Sequence, residues 1–210
     1  NLGNTLFKLG MLEEAEKSCR QAINLEPKNA LAQNNLGNIL FKLKKLEEAE
    51  TAYRVAISIK QNYVQAYFNL GNTLKIMGKL EEAEFNYNDA IKNQPDFSEA
   101  LMMRGGLLFE RGEFESALKD FDSCDNPRSR ARALISLYAL GRVEEIYERI
   151  ENLSKVDDKN LRIAALSAFL NAIEKKKTKF NFCDDPLNYI YFSNISSHIK
   201  DSSIFIKETI

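Results

Sequence analysis

The sequence has 210 residues, which is enough for one long domain or two short ones with a substantial buried core. Its 44% hydrophobic and 28% charged residues are typical of a globular protein and exclude a disordered or membrane-embedded class. The 29 basic residues almost balance the 30 acidic ones, so no global field favours nucleic acid or an anionic membrane as partner. No apolar run is long enough to cross a bilayer.

The cysteines and the first residue bear on where the protein works. Cys19, Cys124 and Cys183 are widely spaced and odd in number, which fits neither a disulfide framework nor a metal cluster. They favour a reducing compartment, and we expect a cytoplasmic protein. The chain begins at Asn1, without an initiator methionine and inside a predicted helix. We therefore expect it to be a piece of a longer protein, whose missing part could have carried a targeting signal.

An internal repeat organises the first half of the chain. Leu-Gly-Asn and Leu-Glu-Glu-Ala-Glu each recur twice at an offset of 34 residues. The first motif occupies residues 2–4, 36–38 and 70–72, and the second occupies residues 12–16, 46–50 and 80–84. One further step reaches Gly105 and Ala117, so the register predicts a fourth unit.

Each unit is predicted to contain two amphipathic helices. In the second unit, apolar residues recur at helical spacing between Leu36 and Leu43 and again between Leu46 and Ile57. Gly37 and Ala49 occupy matching places on the two helices, so their small side chains allow a close approach. Two short helices cannot bury their apolar faces alone, and neighbouring units are therefore expected to stack.

The repeat pattern resembles the tetratricopeptide repeat. The third unit matches it at Leu70, Gly71, Leu74, Ala83, Tyr87 and Pro95. Cys19 stands where the first unit would usually have an aromatic residue, and Gln61 replaces the proline of the second unit. The resemblance implies an all-α, right-handed α-solenoid of stacked antiparallel helix pairs, a scaffold for protein–protein interaction rather than an enzyme. We expect four units over residues 1–125, the first of them truncated at its N-terminus.

The register of the repeat changes after residue 125. Leu140-Gly141 repeats the Leu-Gly turn five residues early, and Pro127 explains the shift because proline favours the first turn of a helix. The preceding helix should therefore be shortened by about one turn. Residues 126–155 are predicted to form a degenerate fifth helix pair and residues 156–177 a capping helix. Residues 178–210 form a non-repeat tail or the start of a further domain.

Asparagines recur on the first helix of each of the first three units and form two rows. One row contains Asn1, Asn35 and Asn69, and the other contains Asn4, Asn38 and Asn72. Their offset of three residues places both rows on one helix face. A carboxamide donates and accepts hydrogen bonds, so the rows could pair with the backbone of an extended peptide. The pattern resembles the asparagine ladder in the repeat superhelix of O-linked N-acetylglucosamine transferase. The candidate peptide-binding residues are Asn1, Asn4, Asn34, Asn35, Asn38, Lys42, Asn69 and Asn72. Bridging between helices, or inheritance by duplication, is the alternative role for these amides.

Other ligand classes are disfavoured. Receptors for chaperone tails grip carboxylates with groove Lys and Arg, but the corresponding sites here hold Asn34, Asn38, Asn69, Glu99 and Met103. The sequence has a single histidine, His198, so it offers no histidine-based metal site or catalytic triad. We therefore expect a protein or peptide partner, with no cofactor, metal, nucleic acid, membrane or catalysis.

Two alternative functions stay open. The chain could recruit substrate for a catalytic domain outside it, of the glycosyltransferase or 2-oxoglutarate oxygenase type. The second of these types is suggested by residues 182–190, which are similar to the linker before iron/2-oxoglutarate oxygenase domains in some bacterial repeat proteins. In the other alternative, the repeat ends or the tail pair with another copy and form a homo-oligomer.

Overall fold

The structure, a computed structural model, describes residues 2–124 and 126–153. Over these residues the chain forms ten helices and no strand, as the all-α prediction requires. The predicted capping helix at 156–177 and the tail at 178–210 lie outside the described residues. The helices are α1 (Leu2–Lys8), α2 (Leu12–Leu25), α3 (Ala30–Lys42), α4 (Leu46–Ile59), α5 (Val64–Ile76), α6 (Leu80–Asn93), α7 (Ser98–Glu110), α8 (Phe114–Asp122), α9 (Pro127–Ala139) and α10 (Val143–Leu153).

The chain divides into two compact units, residues 1–107 and 108–210. In the first unit the helices pack as the pairs α1/α2, α3/α4 and α5/α6, and each pair also contacts the next. The turn inside a pair needs a residue with positive φ, which is Gly78 in the third repeat and Lys44 in the second. The first helices of the pairs are neighbours as well, since α3 contacts both α1 and α5.

The core of the first unit places a large aromatic ring beside a glycine. Tyr53 and Tyr87 are almost completely buried. A Cβ added at Gly37 would lie 2.5 Å from Cε1 of Tyr53, and one added at Gly71 would lie 2.6 Å from Cε1 of Tyr87. The space beside Gly37 is therefore tightly filled, and the group nearest to that glycine is an aromatic ring on the second helix rather than Ala49, with which the prediction paired it.

Ion pairs join the second helices of successive repeats. Arg20 of α2 pairs with Glu16 on its own helix and with Glu48 on α4, both at 2.8 Å. Lys45 completes the set with a 2.9 Å bond to Glu16. The same set recurs one repeat later in Arg54, Glu50, Glu82 and Lys79. Exposed pairs of this kind contribute little individually, so the main result is that both repeat junctions share one arrangement.

The second unit shows the predicted effect of Pro127. This residue lies in the first turn of α9, and the Asn126 side chain caps that helix by accepting the backbone N–H groups of Arg128 and Ser129. The preceding helix α8 has 9 residues, whereas α2, α4 and α6 have 14 each. The shortened helix is therefore confirmed, while the proposed division of the whole chain into domains stays a prediction.

Candidate functional site

The predicted asparagine rows lie on the first helices α1, α3 and α5, of which α3 contacts both of the others. We call the side chains of Asn4, Asn34, Asn35, Asn38, Asn69 and Asn72 the asparagine face. Asn4 is exposed, and four of the others are half-buried. Asn34 differs, because only 5% of it is exposed. Lys42 is exposed in the last turn of α3, and Asn1 lies outside the described residues.

A hydrogen-bond network joins α5 to α3 through these amides. The Nδ2 group of Asn69 donates to Oδ1 of Asn34 at 3.1 Å and to Oδ1 of Asn38 at 3.0 Å. The hydroxyl of Tyr53, on α4, donates to the same Asn38 oxygen at 2.8 Å. Helix bridging, the alternative role considered for the asparagines, is therefore a real part of what Asn34, Asn38 and Asn69 do.

A second tyrosine fixes the asparagine one repeat further along. The hydroxyl of Tyr87, on α6, donates to Oδ1 of Asn72 at 2.9 Å. Burial raises the pKa of both Tyr53 and Tyr87 far above the ordinary value, because a buried phenolate would lose its hydration. Both hydroxyls therefore keep their protons and act as donors.

The amides of Asn4 and Asn35 are not held in this way. Across residues 2–124 and 126–153, neither side chain makes a hydrogen bond, and Asn35 is half-buried on α3. The first repeat has Cys19 in the tyrosine position, so Asn4 has no phenol to bind. Asn4 and Asn35 therefore keep all their donors and acceptors.

The sequence identified the asparagines but not their tyrosine partners. Neither Tyr53 nor Tyr87 was among the predicted site residues, although each lies 15 positions after the asparagine it binds. That shared spacing is the signal that could have revealed the pairs. It is supported by the fourth repeat, where the corresponding positions hold Gly106 and Phe121 and so lack both the amide and the hydroxyl.

The described residues offer little other chemistry. They contain no group of three or more His, Cys, Asp or Glu side chains that could hold a metal ion. Within the same part of the chain, no helix has the length and apolarity needed to span a membrane. Cys19 and Cys124 are free and buried, and burial raises the pKa of the Cys19 thiol, which lowers its reactivity.

The fold and the asparagine face together define an all-α protein built from repeated helix pairs. The family profile described as "TPR repeat" matches residues 3–44 and 37–78, and the profile described as "Tetratricopeptide repeat" matches residues 64–97. Residues 3–97 therefore consist of tetratricopeptide repeats, and the predicted α-solenoid class is confirmed. This repeat class serves as a protein-interaction scaffold that binds protein or peptide partners and is typically non-catalytic.

Solved structures of other repeat proteins share the fold. A tetratricopeptide repeat protein from Parabacteroides merdae is 25% identical, with a TM-score of 0.67 over 83% of this chain and 71% of that one. PilF of Pseudomonas aeruginosa is 18% identical, with a TM-score of 0.65 over 80% and 79% of the two chains. MamA is 14% identical, with a TM-score of 0.63 over 83% and 92%. A search of curated protein sequences gives no match.

Proposed function

We propose that the chain is a scaffold that holds an extended segment of another protein against the asparagine face. The observation that carries this proposal is the recurrence of half-buried amides on two contacting helices, with Asn35 and Asn38 on α3 and Asn69 and Asn72 on α5. A polypeptide backbone also presents donors and acceptors at regular intervals. Repeated amides suit such a ligand better than they suit a compact small molecule.

The charges near the asparagine face favour a neutral or acidic segment. The first helices of three repeats each have a lysine in their last turn, namely Lys8, Lys42 and Lys75. Lys8 and Lys42 are exposed, and their flexible side chains can reach a carboxylate at the edge of the face. Such exposed charges mainly raise the association rate, so the amides are expected to contribute most of the specificity.

The proposal can be tested by capturing the partner and then measuring its affinity. The chain is used to capture proteins from native lysate, mass spectrometry identifies the bound protein, and calorimetry gives the Kd of the bound segment. Asn4→Ala combined with Asn35→Ala removes two amides of the face that make no hydrogen bond in the described part of the chain, and should weaken binding by about one to two powers of ten, at ~0.5–1.5 kcal/mol per hydrogen bond. Asn69 is kept because it bridges α5 to α3.

Asn24→Ala is the matched control, because Asn24 is an exposed asparagine on α2, a second helix outside the asparagine face. It should leave the Kd unchanged. Circular dichroism should show both variants as helical as the wild type, since alanine is the better helix former. A double variant that folds and binds the segment as tightly as the wild type would show that the segment uses another surface.

A further inference from the structure

The amides of α3 and α5 have different hydrogen-bonding capacity left for a ligand. A carboxamide oxygen accepts two hydrogen bonds and its nitrogen donates two. The oxygen of Asn38 already accepts from the hydroxyl of Tyr53 at 2.8 Å and from Nδ2 of Asn69 at 3.0 Å. Both acceptor positions of Asn38 are filled, so this residue can offer a ligand only its two N–H donors.

Asn69 has the opposite capacity. Its two N–H groups are used by the oxygens of Asn34 and Asn38, which leaves the Oδ1 atom of Asn69 as an acceptor. Asn72 resembles Asn38, because its oxygen accepts from Tyr87 at 2.9 Å and both of its N–H groups are left. Along the asparagine face the order is therefore donor at Asn38, acceptor at Asn69 and donor at Asn72.

The buried tyrosines explain why the amides are oriented this way. Only 2% of Tyr53 is exposed, and its hydroxyl proton needs an acceptor, since a buried donor without one is strongly destabilising. If the Asn38 amide were turned over, its NH₂ group would face that proton and no acceptor would be present. The ring packs directly against Gly37 and is almost completely buried, so it has no free space into which it could move to relieve this.

We infer that the asparagine face recognises a peptide backbone with fixed polarity, in which Asn38 and Asn72 donate to ligand carbonyl oxygens and Asn69 accepts a ligand N–H. Tyr53 and Tyr87 are the positioning residues that set this polarity. The inference rests on the proposed function and narrows it. The ligand is an extended segment that tolerates proline opposite Asn38 and Asn72 but needs a free N–H opposite Asn69.

The orientation of the amides can be measured without a ligand. In the ¹⁵N-labelled full chain, NMR gives the exchange rates of the side-chain NH₂ protons of each asparagine, assigned by triple-resonance spectra of the wild type. Asn69 should exchange about tenfold more slowly than Asn38 and Asn72, equivalent to ~1.4 kcal/mol of protection. Exchange at Asn69 that is as fast as at Asn38, or faster, overturns the inference.

A tyrosine variant tests the positioning role. Tyr53→Phe keeps the ring but removes the hydroxyl, so the Asn38 amide is no longer held in one orientation and its two NH₂ proton signals should shift and broaden. Tyr63→Phe is the matched control, because Tyr63 is a half-buried tyrosine at the start of α5 without a hydrogen bond from its hydroxyl in the described part of the chain. Unchanged Asn38 signals in Tyr53→Phe overturn the positioning role.

Recognition of the backbone is tested with a peptide probe. The probe is a 12-residue peptide selected on the full chain from a random displayed library and then N-methylated at one residue at a time, which removes single N–H groups and keeps the carbonyls. N-methylation at one position should lower the affinity of the peptide for the wild type about tenfold, on the order of one hydrogen bond. The same N-methylation should not lower its affinity for Asn69→Ala. A penalty that instead disappears in Asn38→Ala or Asn72→Ala contradicts the assigned polarity.

The proposed function and the fixed polarity of the amides can be refuted separately. If Asn38→Ala, Asn69→Ala and Asn72→Ala all leave the affinity of the probe unchanged, the proposed function is refuted. The inferred recognition of a ligand backbone is then refuted as well. The exchange rates of the free protein would still report the amide orientation. If the replacements weaken binding but the N-methyl penalties follow Asn38, the proposed function stands and the fixed polarity is refuted.

Discussion

Replacing Gly71 with alanine tests how tightly the two helices of a repeat pack against each other. The added Cβ would lie 2.6 Å from Cε1 and 2.8 Å from Cδ1 of Tyr87. Since favourable carbon–carbon contacts are about 3.5–4.0 Å, the ring and the methyl group must separate by roughly 1 Å. Tyr87 is fully buried and its hydroxyl is bonded to Asn72, so the ring cannot swing into solvent.

Three terms set the expected size of the effect. Overpacking a filled core costs about 1–3 kcal/mol. The better helix propensity of alanine offsets about 1 kcal/mol of that cost. A displaced Tyr87 also loses its bond to Asn72, which adds about 0.5–1.5 kcal/mol. We therefore expect Gly71→Ala to lower the free energy of unfolding by about 0.5–3.5 kcal/mol, with a Tm lower by about 2–4 °C per kcal/mol.

Urea denaturation followed by circular dichroism measures this change, and Gly3→Ala is its matched control. A Cβ at Gly3 would meet Sγ of Cys19 at 2.6 Å, and the next nearest atom would be 3.5 Å away. A terminal thiol can rotate aside, so alanine at Gly3 should be neutral or stabilise the chain by up to about 1 kcal/mol. A Gly71→Ala urea midpoint at or above that of the wild type would refute the packing argument, as would equal shifts in both variants.

Three further predictions concern charges and a helix cap. Arg54→Ala removes a 2.7 Å ion pair with Glu82 between two half-exposed side chains, so thermal unfolding should show a loss below about 1 kcal/mol that disappears in 1 M NaCl. A hydrogen bond from Lys45 lowers the pKa of Glu16 in the folded chain. The ionised Glu16 therefore stabilises the fold fully above about pH 4.5, and this contribution is lost as the pH falls through the folded-state pKa. Lys45→Met should therefore flatten the acid side of the urea-midpoint profile, and an unchanged profile would contradict that assignment. Asn126→Ala should cost about 0.5–2 kcal/mol in urea denaturation, because two N–H groups of α9 lose their acceptor; a cost near zero would mean that water replaces the cap.

Much of the fold could be predicted from the sequence because the repeat period, the apolar spacing and the proline each indicate a single local structure. The 34-residue register and the helical periodicity identified the helix pairs, since apolar residues at these spacings share one helix face. Pro127 gave the early start of α9, and the structure confirms both that start and the shortened α8. Proline has a fixed φ and no N–H, so few alternatives existed at that point.

The candidate site was predicted less completely, because periodicity assigns a helix face but not the hydrogen bonds made on it. Asn34 and Asn35 are adjacent residues of the same type, and both were candidates for peptide binding. The structure buries Asn34, whose oxygen accepts from Asn69, and leaves Asn35 half-buried without a hydrogen bond among the described residues. Neighbouring helices decide which of two adjacent amides reaches solvent, and those helices come from other repeats.

The combination of glycine, asparagine and tyrosine in one repeat connects the packing of its two helices to the asparagine face. Gly71 leaves room for the Tyr87 ring, and the ring carries its hydroxyl to the oxygen of Asn72. The first repeat has the glycine and the asparagine but Cys19 in place of tyrosine, so its exposed Asn4 can turn either way. The asparagine face therefore combines two amides without a hydrogen bond in the described part of the chain, Asn4 on α1 and Asn35 on α3, with bonded amides at Asn38, Asn69 and Asn72. If an extended ligand binds as proposed, the bonded amides of the second and third repeats would require a donor or an acceptor at defined ligand positions. The Asn4 amide of the first repeat would accept either.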